Sequence, residues 1–457
     1  MFPLTVKEIL LATNGILIQG DKKTVVSHIS IDSRNIPNNA FFIAIKGNFF
    51  DGHDFILDVI KKGVLGIIVS NINKENIQAE IIIIKVKNTL KALQDIAHHI
   101  RKKIKCPIIA ITGSNGKTTT KEMTASILES KYKTFKNKGN FNNHIGVPLS
   151  ILEMNPFHEI GVFELGMSGI GEIKLLCKIL KPTIGVVTNV GLAHLEFLKT
   201  IKNIAKAKSE LPESLKEKNI IILNNDDKYV EAMKNKTKAF VMNFGLNNKA
   251  MVKAEKIINK KENGYEFVLK YKSKKIEIAL PILGKHNILN ALASASVGIA
   301  LKVSLENIKN KLSQFQAPCY RMEVIKFKKI TFLNDCYNAN PSSMKEALLT
   351  LDNFDSKKRK IAILGDMLEL GKKSKKFHEE IGNLVASLNI DIILTKGKEF
   401  YAITEKCFKK SKKQFFSFLE NKQIVKKLKT ILKSNDVVLI KGSRGMEMEE
   451  ILEIYKK

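Results

Sequence analysis

Cysteine and proline are scarce in this chain. Its 457 residues include only five cysteines and ten prolines. The cysteines are odd in number and far apart in the sequence, and they are Cys106, Cys177, Cys319, Cys336 and Cys407. They form neither a C-x-x-C metal pair nor an evident disulfide framework, so we expect a reducing, cytoplasmic environment. The hydrophobic content of 44% excludes a disordered or collagen-like chain.

Long hydrophobic runs are also absent. The apolar stretches at 81–84 and 106–111 are far shorter than the roughly 18 to 20 residues of a membrane-spanning helix. The first residues, MFPLTVKEILLATNG, lack both a basic start and a cleavable apolar core. We therefore expect a mature chain that has no membrane partner.

Acidic residues are outnumbered, since 45 Asp and Glu face 76 Lys and Arg and give a formal net charge of +31. Such a charge is typical of proteins that bind a polyanion such as nucleic acid. The lysines are spread along the whole chain, however, without interleaved aromatic residues or an RNA- or DNA-binding motif. This distribution favours a solvated, lysine-rich surface, and we expect no nucleic-acid partner.

The length predicts about three domains of roughly 150 residues each. Residues 1–105 combine short apolar strands with an amphipathic segment and predict a small α/β domain. In 106–318, strand-like runs alternate with helical stretches, which predicts a parallel sheet with helices on both faces. The alternation restarts in 319–457 and predicts a Rossmann-like domain. The fold class is therefore α/β.

Two further patterns refine this organisation. The segment GYEFVLKYKSKKIEIALPILG alternates as antiparallel strands do, so we expect an antiparallel appendage on the central sheet. No repeat of fixed period is present in the sequence, which excludes solenoid architectures.

A glycine loop follows an apolar strand near the start of the central domain, in the segment IAITGSNGKTTTKEMTASILE. Strand, glycine turn and helix in this order make a phosphate-binding loop whose N–H groups face the phosphates. Ile111 replaces the first glycine of the general pattern, and the next glycine supplies the turn two residues later. We predict that the loop binds ATP through Gly113, Ser114, Asn115, Gly116, Lys117, Thr118 and Thr119. Lys117 would contact the β/γ-phosphates and Thr118 a Mg²⁺ ion.

An acidic residue ends a neighbouring strand of the predicted sheet. Glu164 closes the apolar run of IGVFELG, at the edge where ligands of open α/β sheets bind. A carboxylate at this edge suits Mg²⁺. The alternative is a helix N-cap acid, which is common after a strand.

The string TGSNGKTTT resembles the ATP loop of the Mur ligases and of the related folylpolyglutamate synthetases, which join an amine to a carboxylate through an acyl phosphate. TNVGLAHLEFL and AKAKSEL resemble two further Mur ligase segments. The resemblance implies that His194 binds a second Mg²⁺ and that Lys208, carbamylated by CO₂, supports that ion. Taken alone, one histidine is more often an ordinary polar residue and one lysine is normally surface charge.

The resemblance also implies a set of nucleotide contacts. In GKHNILNALA, Asn287 would contact the adenine, although an amphipathic core helix with a polar start fits nearly as well. Arg321 would lie near the γ-phosphate, and Asp335 and Asn338, in LNDCYNANPSSM, near the ribose. Catalysis would then depend on Lys117, Lys208, His194 and Arg321.

Substrate contacts are implied in three regions of the chain. The strings DSR and GNFFDGHD, near the amino terminus, resemble segments that hold the UDP end of a muramyl substrate. Without the family match, each is read as a turn whose Asp or Asn bonds its own backbone. The implied substrate contacts are Ser33, Arg34, Asp51, Gly52, His53, Asn142, Asn143, Asn340, Lys441, Ser443 and Arg444.

The resemblance covers essentially the whole chain and is most specific in NKGNFNNHIGVP, DCYNANPSSM, LGDMLELG and VVLIKGSRGMEME. It implies a monomeric ligase that adds D-alanyl-D-alanine to UDP-N-acetylmuramoyl-tripeptide, with ATP and two Mg²⁺ ions. Two departures are Gly445, where relatives usually carry serine, and Pro212, which we expect to end the helix of Lys208.

Four alternatives remain open. The Mur ligase that adds the third residue typically has D-Y-A-H-T-P and D-N-P-R strings, which this chain lacks, and folylpolyglutamate synthetases lack the amino-terminal domain. A degenerate member that binds muramyl nucleotides without ligating them is disfavoured by the intact set of catalytic and metal residues. A nucleic-acid-stimulated P-loop ATPase would show steep salt dependence.

Overall fold

The computed structural model describes residues 1–71, 79–355, 357–408 and 413–457, with the backbone alone at 404–406 and 408. The chain forms two compact units. The first unit consists of Met1–Ala110, Tyr132–Gly166 and Gly171–Thr183. The second consists of Ile111–Lys131, Met167–Ile170 and Ile184–Lys457.

The strands of the first unit are short. They are β1 (Leu4–Thr5), β2 (Ile16–Gln19), β3 (Val25–Val26), β4 (Ile29–Ser30), β5 (Phe41–Ile43), β6 (Gly66–Val69), β7 (Ile82–Lys85), β9 (Thr134–Lys136) and β10 (Ile160–Glu164). Strand β8 (Ile108–Thr112) begins in the first unit and ends in the second.

The described residues of the first unit form five α-helices, and a side chain caps the start of two of them. The five helices are α1 (Val6–Thr13), α2 (Ile56–Lys61), α3 (Thr89–Lys103), α5 (Gly146–Glu153) and α6 (Glu172–Leu180). A capping box starts α1, because the side chains of Thr5 and Glu8 each accept a hydrogen bond from the other's backbone N–H. The side chain of Asn88 caps α3 in the same way, by accepting from Lys91 N–H.

Five of these strands form a mixed sheet in the spatial order β2-β7-β6-β5-β4. Only the β2–β7 pair is antiparallel. The central strands β5 and β6 are buried along their whole length, as expected for a sheet that is covered on both faces. The sheet therefore supports the loops that follow β4 and β5, where the DSR and DGHD strings lie.

The second unit contains two sheets. Its strands are β11 (Ile184–Val187), β12 (Ile220–Asn224), β13 (Phe240–Gly245), β14 (Val252–Asn259), β15 (Tyr265–Tyr271), β16 (Lys274–Leu280), β17 (Glu323–Phe327), β18 (Ile330–Asn334), β19 (Lys360–Gly365), β20 (Ile392–Lys396), β21 (Gln414–Phe418) and β22 (Val437–Lys441).

The helices of the second unit alternate with most of these strands. They are α4 (Lys117–Leu128), α7 (Leu195–Leu198), α8 (Ile201–Glu213), α9 (Lys228–Glu231), α10 (His286–Ala300), α11 (Leu305–Ser313), α12 (Pro341–Asp352), α13 (Ser374–Ser387), α14 (Lys398–Phe408), α15 (Asn421–Ile431) and α16 (Glu449–Lys456). None of the helices among the described residues is long and apolar enough to span a bilayer.

The first sheet of this unit has the neighbouring order β16-β15-β14-β13-β12-β11. Pairs from β11 to β14 are parallel, whereas β14, β15 and β16 pair antiparallel. The antiparallel appendage expected from the sequence is thus present. Thr188, just after β11, donates its N–H to Thr112 O over 3.0 Å, which brings the end of β8 beside β11.

The second sheet has the order β17-β18-β22-β19-β20-β21. All its pairs are parallel except the edge pair β17–β18. A core of buried Ile, Leu, Val and Phe side chains lies between this sheet and helices α15 and α16. This is the Rossmann-like arrangement that the strand and helix rhythm predicts for residues 319–457.

One local expectation is wrong. Pro212 does not end the helix of Lys208, since α8 continues through it to Glu213. A proline in the last turn of a helix removes one N–H donor, the partner of the carbonyl four residues earlier. Because Pro212 lies in the last turn, the helix loses only this one hydrogen bond and ends one residue after the proline.

Candidate active site

The glycine loop connects β8 to α4 and needs both of its glycines. Gly116 has a φ of 80°, and a Cβ placed there would lie 2.4 Å from Asn290 Oδ1. A Cβ on Gly113 would lie 1.8 Å from Thr188 Oγ1. Because neither position has room for a side chain, the backbone of the loop runs close to α10 and to the end of β11.

The loop is held in shape by residues that follow β11. Asn189 accepts at its backbone oxygen from Ser114 N–H over 2.9 Å and at its Oδ1 from Asn115 N–H over 2.9 Å. Gly191 N–H donates to Ser114 Oγ over 2.8 Å. Asn189 was not singled out from the sequence, although a polar residue after a buried parallel strand is the signal that could have found it.

Two cations lie at this loop. Lys117 Nζ donates to the carbonyl oxygens of Gly113 and Ser114 over 3.0 and 3.3 Å. Arg321 donates from a terminal guanidinium nitrogen to Thr118 Oγ1 over 3.2 Å, and its guanidinium carbon lies 3.8 Å from the ring centre of Tyr337. Its Nε is buried and has no hydrogen-bond partner among the described residues. An orphaned guanidinium N–H beside a phosphate loop suits an anionic oxygen.

Lys208 lies on α8 with only 2% of its surface exposed. Burial, together with the positive charge of Lys117, lowers the pKa of its ammonium well below the usual value. Because burial favours the neutral form of an amine, Lys208 is suited to be a nucleophile toward CO₂. The lowered pKa of Lys208 is compatible with the carbamate that the resemblance implies.

His194 precedes α7 with a φ of 55°, which is rare for a residue other than glycine. Its Nδ1 lies 2.7 Å from Glu369 Oε2. The His194 side chain lowers the pKa of Glu369 through this contact. Glu369, within the LGDMLELG string, was not foreseen as a site residue, because nothing in the sequence relates two positions so far apart.

Glu164 belongs to the first unit, where it ends β10 and is 3% exposed. Asn142 Nδ2 donates to its Oε1 over 2.8 Å. The helix that follows, α6, is preceded by Gly171 as its N-cap residue, so Glu164 is not a cap. The described residues hold no group of three His, Cys, Asp or Glu side chains placed to bind a metal. The proposed metal residues Thr118, His194 and Lys208 lie in the second unit.

The proposed nucleotide contacts divide into two sets. At the start of α10, Asn287 donates to Leu283 O over 2.6 Å and accepts from Asn290 Nδ2 over 2.8 Å, which is the arrangement expected of a core helix with a polar start. Asp335 and the Asn338 backbone both contact the buried Lys441. Lys441 Nζ donates to Asp335 Oδ2 over 2.6 Å and to Asn338 O over 3.1 Å. Lys441 thus supports the loop after β18.

Three further proposed substrate contacts surround the same part of the second unit. Asn340 caps α12, and its Nδ2 donates to Asn115 Oδ1 over 2.7 Å. Ser443 Oγ accepts from Leu368 N–H over 2.8 Å. Arg444 is exposed and pairs with Glu449 over 2.6 Å. Asn340 therefore brings the segment after residue 319 into direct contact with the glycine loop.

A large cavity of about 1120 Å³ lies in the first unit. Ser33, Arg34, Gly52 and Asn143 are among its lining residues. The Arg34 guanidinium lies at the surface and is aligned by two hydrogen bonds to the Asp32 carboxylate, of 2.9 and 3.0 Å. A cation held in this way presents its remaining N–H groups to an anion such as a pyrophosphate.

The DGHD loop contributes Gly52 to the wall of this cavity. Asp51 Oδ1 lies 2.6 Å from His53 Nδ1, and His53 Nε2 accepts from Ser70 N–H over 3.1 Å. The backbone and side-chain hydrogen bonds from His53 lower the pKa of Asp51. Asp51 and His53 do not line the cavity among the described residues. They hold the turn in which Gly52 lies too close to Ala44 for any side chain.

Known proteins resemble this chain over its whole length. Family models match at 25–101 (Mur ligase family, catalytic domain), 111–298 (Mur ligase middle domain) and 320–444 (Mur ligase, glutamate ligase domain). The UDP-N-acetylmuramoyl-tripeptide–D-alanyl-D-alanine ligase of Bacillus subtilis is 35% identical, covering 99% of this chain and 98% of the relative. The Escherichia coli enzyme of the same name is 31% identical, with the same two shares covered.

Solved structures agree with these matches. A crystal structure of MurF from Acinetobacter baumannii superposes with a TM-score of 0.92 at 31% identity, covering 100% of this chain and 99% of that one. MurF from Thermotoga maritima in complex with ADP gives 0.83 at 30% identity, covering 94% and 97%. The α/β fold expected from the sequence is confirmed. With family models that match most of the chain, a matching fold and full-length relatives above 30% identity, the chain belongs to the Mur ligase family.

Proposed function

We propose that the chain is an ATP-dependent amide ligase that joins D-alanyl-D-alanine to UDP-N-acetylmuramoyl-tripeptide in the synthesis of peptidoglycan precursors. The full-length relatives that carry this ligase's name support the substrate assignment. The observation that carries the chemistry is the meeting of the glycine loop with Arg321, whose buried Nε is left for an anionic oxygen.

In the first step, a carboxylate oxygen of the tripeptide attacks the γ-phosphorus of ATP, and the bond to the β–γ bridging oxygen breaks. ADP leaves, and the substrate carries an acyl phosphate. Lys117 and Arg321 neutralise the charge that develops on the phosphoryl oxygens, and the N–H groups of the loop hold the β-phosphate.

In the second step, the free amine of D-alanyl-D-alanine attacks the acyl carbonyl carbon. The tetrahedral intermediate expels phosphate and the nitrogen loses a proton, which leaves an amide bond. Water must be excluded while the acyl phosphate exists. Tyr337, stacked on Arg321, and Asn340, bonded to Asn115, shield this side of the loop.

Two Mg²⁺ ions would neutralise phosphate charge when bound. Thr118, Glu164, His194 and carbamylated Lys208 are their proposed protein ligands. The lowered pKa of Lys208 supports the carbamate, since CO₂ reacts only with an unprotonated amine.

The remaining assignments follow from the same proposal. The UDP end of the substrate would occupy the cavity beside Arg34, and Asn340, Ser443 and Arg444 would contact the peptide end. The three domains would be 1–105, 106–318 and 319–457. The protein would act as a monomer in the cytoplasm, where ATP and nucleotide-activated sugars are available.

Phosphate release tests this proposal. ATP, Mg²⁺ and UDP-N-acetylmuramoyl-tripeptide are supplied with and without D-alanyl-D-alanine, and the pentapeptide is detected by mass. We expect pentapeptide and stoichiometric phosphate only with the dipeptide. Absence of product with both the diaminopimelate and the lysine tripeptide would contradict the assignment. Phosphate release stimulated by RNA or DNA would favour the nucleic-acid ATPase.

A further inference from the structure

The side chain of Asn189 bonds the backbone of Asn115 on both sides of its Cα. Asn189 Oδ1 accepts from Asn115 N–H over 2.9 Å, and Asn189 Nδ2 donates to Asn115 O over 3.0 Å. Thr188 Oγ1 donates to the same carbonyl oxygen over 2.7 Å. Because the N–H and the C=O of Asn115 are both engaged by residues that follow β11, the two peptide groups that flank its Cα are fixed in orientation.

The side chain of Asn115 contacts a different part of the second unit. Its Oδ1 accepts from Asn340 Nδ2 over 2.7 Å. Asn340 is itself fixed at the start of α12, since its Oδ1 accepts from Ser343 N–H over 2.9 Å and its own N–H donates to Ser343 Oγ over 3.0 Å. Asn115 therefore joins two anchored residues, one after β11 and one at the start of α12.

Backbone groups set the orientation of each carboxamide in this series. Asn189 turns its oxygen to an N–H group and its NH₂ to a carbonyl oxygen. Asn340 turns its oxygen to Ser343 N–H, which presents its NH₂ to Asn115. Since a carboxamide oxygen only accepts and its nitrogen only donates, Asn115 meets Asn340 with its oxygen. The direction of every bond from Asn189 to Asn340 is thus determined.

We propose that Asn189 is a positioning residue that acts through Asn115, by fixing the backbone from which the Asn115 side chain holds Asn340 beside the glycine loop. The role rests on the proposed function, in which this loop holds the phosphates of ATP and Asn340 contacts the peptide end of the substrate. Attack requires the carboxylate oxygen and the γ-phosphorus to lie about 3–3.5 Å apart and in line. Asn189 aligns the groups that hold the two substrates.

Three variants and one control test the role. Asn189→Ala removes one end of the series, Asn340→Ala removes the other, and the double variant shows whether the two ends act through each other. Asn225→Ala is the matched control. Asn225 also follows a buried parallel strand and is partly buried, and its Nδ2 donates to Asn247 Oδ1 over 3.0 Å. It takes no part in the proposed chemistry.

The first measurement is the pair of ¹⁵N–¹H signals from the Asn340 carboxamide in ligand-free protein, assigned by their loss in Asn340→Ala. We expect both signals to shift in Asn189→Ala, because an Asn115 that is no longer fixed holds the Asn340 NH₂ group less well. They should keep their native positions in Asn225→Ala. This measurement needs neither substrate nor turnover.

The second measurement is kcat/KM for UDP-N-acetylmuramoyl-tripeptide at saturating ATP. We expect a loss of about 2- to 10-fold in Asn189→Ala and in Asn340→Ala, which is the range for one hydrogen bond, and no loss in Asn225→Ala. The double variant should lose no more than the more impaired single variant, because removal of either end already interrupts the series. Two independent roles would instead multiply the two losses.

Unshifted Asn340 signals in Asn189→Ala would overturn the role, as would a kcat/KM equal to that of the control or losses that multiply in the double variant. If Asn189→Ala does not fold, Asn189→Asp replaces it in the NMR measurement, since it keeps the acceptor for Asn115 N–H but places a carboxylate oxygen against Asn115 O. A native protein that makes no pentapeptide contradicts the proposed function, whereas unshifted signals contradict the role of Asn189.

Discussion

At the scale of single residues, the proposed carbamate on Lys208 predicts a specific effect of mutation on ligase activity. We expect Lys208→Ala to lower ligase activity at least about 10- to 100-fold, because the carbamate that supports Mg²⁺ cannot form. A short-chain carboxylic acid added to this variant should restore part of the activity by replacing the carbamate. The pentapeptide assay measures both effects.

Lys206 provides the control, because it lies on the same helix but is exposed. Lys206→Ala should keep its activity and gain nothing from the added acid. Full activity of unrescued Lys208→Ala would remove Lys208 from the mechanism.

Glu8 predicts an effect of pH on stability. Burial opposes its ionisation, but Lys103 and the hydrogen bonds from Thr5 prevail and lower the pKa of Glu8 from 4.5 to about 2. Because the folded pKa is depressed, the stabilisation is complete above pH 4.5 and is lost as the pH falls toward 2. Glu8→Gln should therefore loosen α1 by about 1 kcal/mol near neutral pH and by less in acid.

Hydrogen exchange of the α1 amides measures this difference without assuming that the whole chain unfolds in one step. Lys7→Gln, on the same helix and exposed, is the control. A Glu8→Gln effect that stays constant from pH 6 down to pH 3 would contradict the assignment of this stabilisation to the Glu8 carboxylate.

The sequence predicts the glycine loop residue by residue but misses the residues that complete it. Strand, glycines and lysine are contiguous, so their spacing alone reveals the phosphate site. Asn189 bonds the loop, and Tyr337 stacks on Arg321 beside it, only through tertiary folding, from 70 or more positions away. Lys441 was foreseen as a substrate contact, yet its buried pairing with Asp335 depends on the register of β18 and β22, which no local pattern reveals.

At the scale of elements, the junction of β8 and α4 depends on Gly116. Gly116→Ala should lower ADP affinity at least about 10-fold, because the new Cβ meets Asn290 Oδ1 at 2.4 Å and displaces the N–H groups that hold the phosphate. Calorimetric titration with ADP measures the loss.

A variant at Gly171 is the control that distinguishes the effect of backbone strain from the effect of steric overlap. Gly171 has a φ of 93°, but a Cβ there would meet nothing within 4 Å. Gly171→Ala should cost about 1–2 kcal/mol of stability and leave ADP affinity unchanged. Equal affinity losses in both variants would show that overlap at Asn290 is not the cause.

Element types are predicted better than element order. The apolar runs of IGVFELG and DVVLIKG become β10 and β22, and GYEFVLKYKSKKIEIAL becomes the β15–β16 hairpin. In contrast, β22 is last in the chain but lies between β18 and β19. Strand insertion of this kind is set by long-range packing, because the hydrophobic period of a strand carries no information about its neighbours. The edge strands β17 and β21 were not singled out, since neither is continuously buried.

At the scale of the whole molecule, the net charge of +31 leads to a prediction about nucleic-acid binding. If the lysines form a solvated surface, RNA and DNA should not stimulate phosphate release at 150 mM salt, and ligation should change less than about threefold between 50 and 200 mM. A protein that contacts 6–10 phosphates would instead lose about 10³–10⁵ in affinity over that range. Phosphate release with and without single-stranded RNA, at several salt concentrations, decides between them.

The hydrogen bond between Asn340 and Asn115 joins positions 225 residues apart. This separation has a consequence for the chain while it is being synthesised. A ribosome makes the glycine loop long before it makes Arg321 and Asn340. A nascent chain that has reached only residue 318 would contain the glycine loop but would lack Arg321 and Asn340. We therefore expect a chain that ends at residue 318 to hydrolyse little ATP, because Arg321 and Asn340, which contact the glycine loop, are made only afterwards.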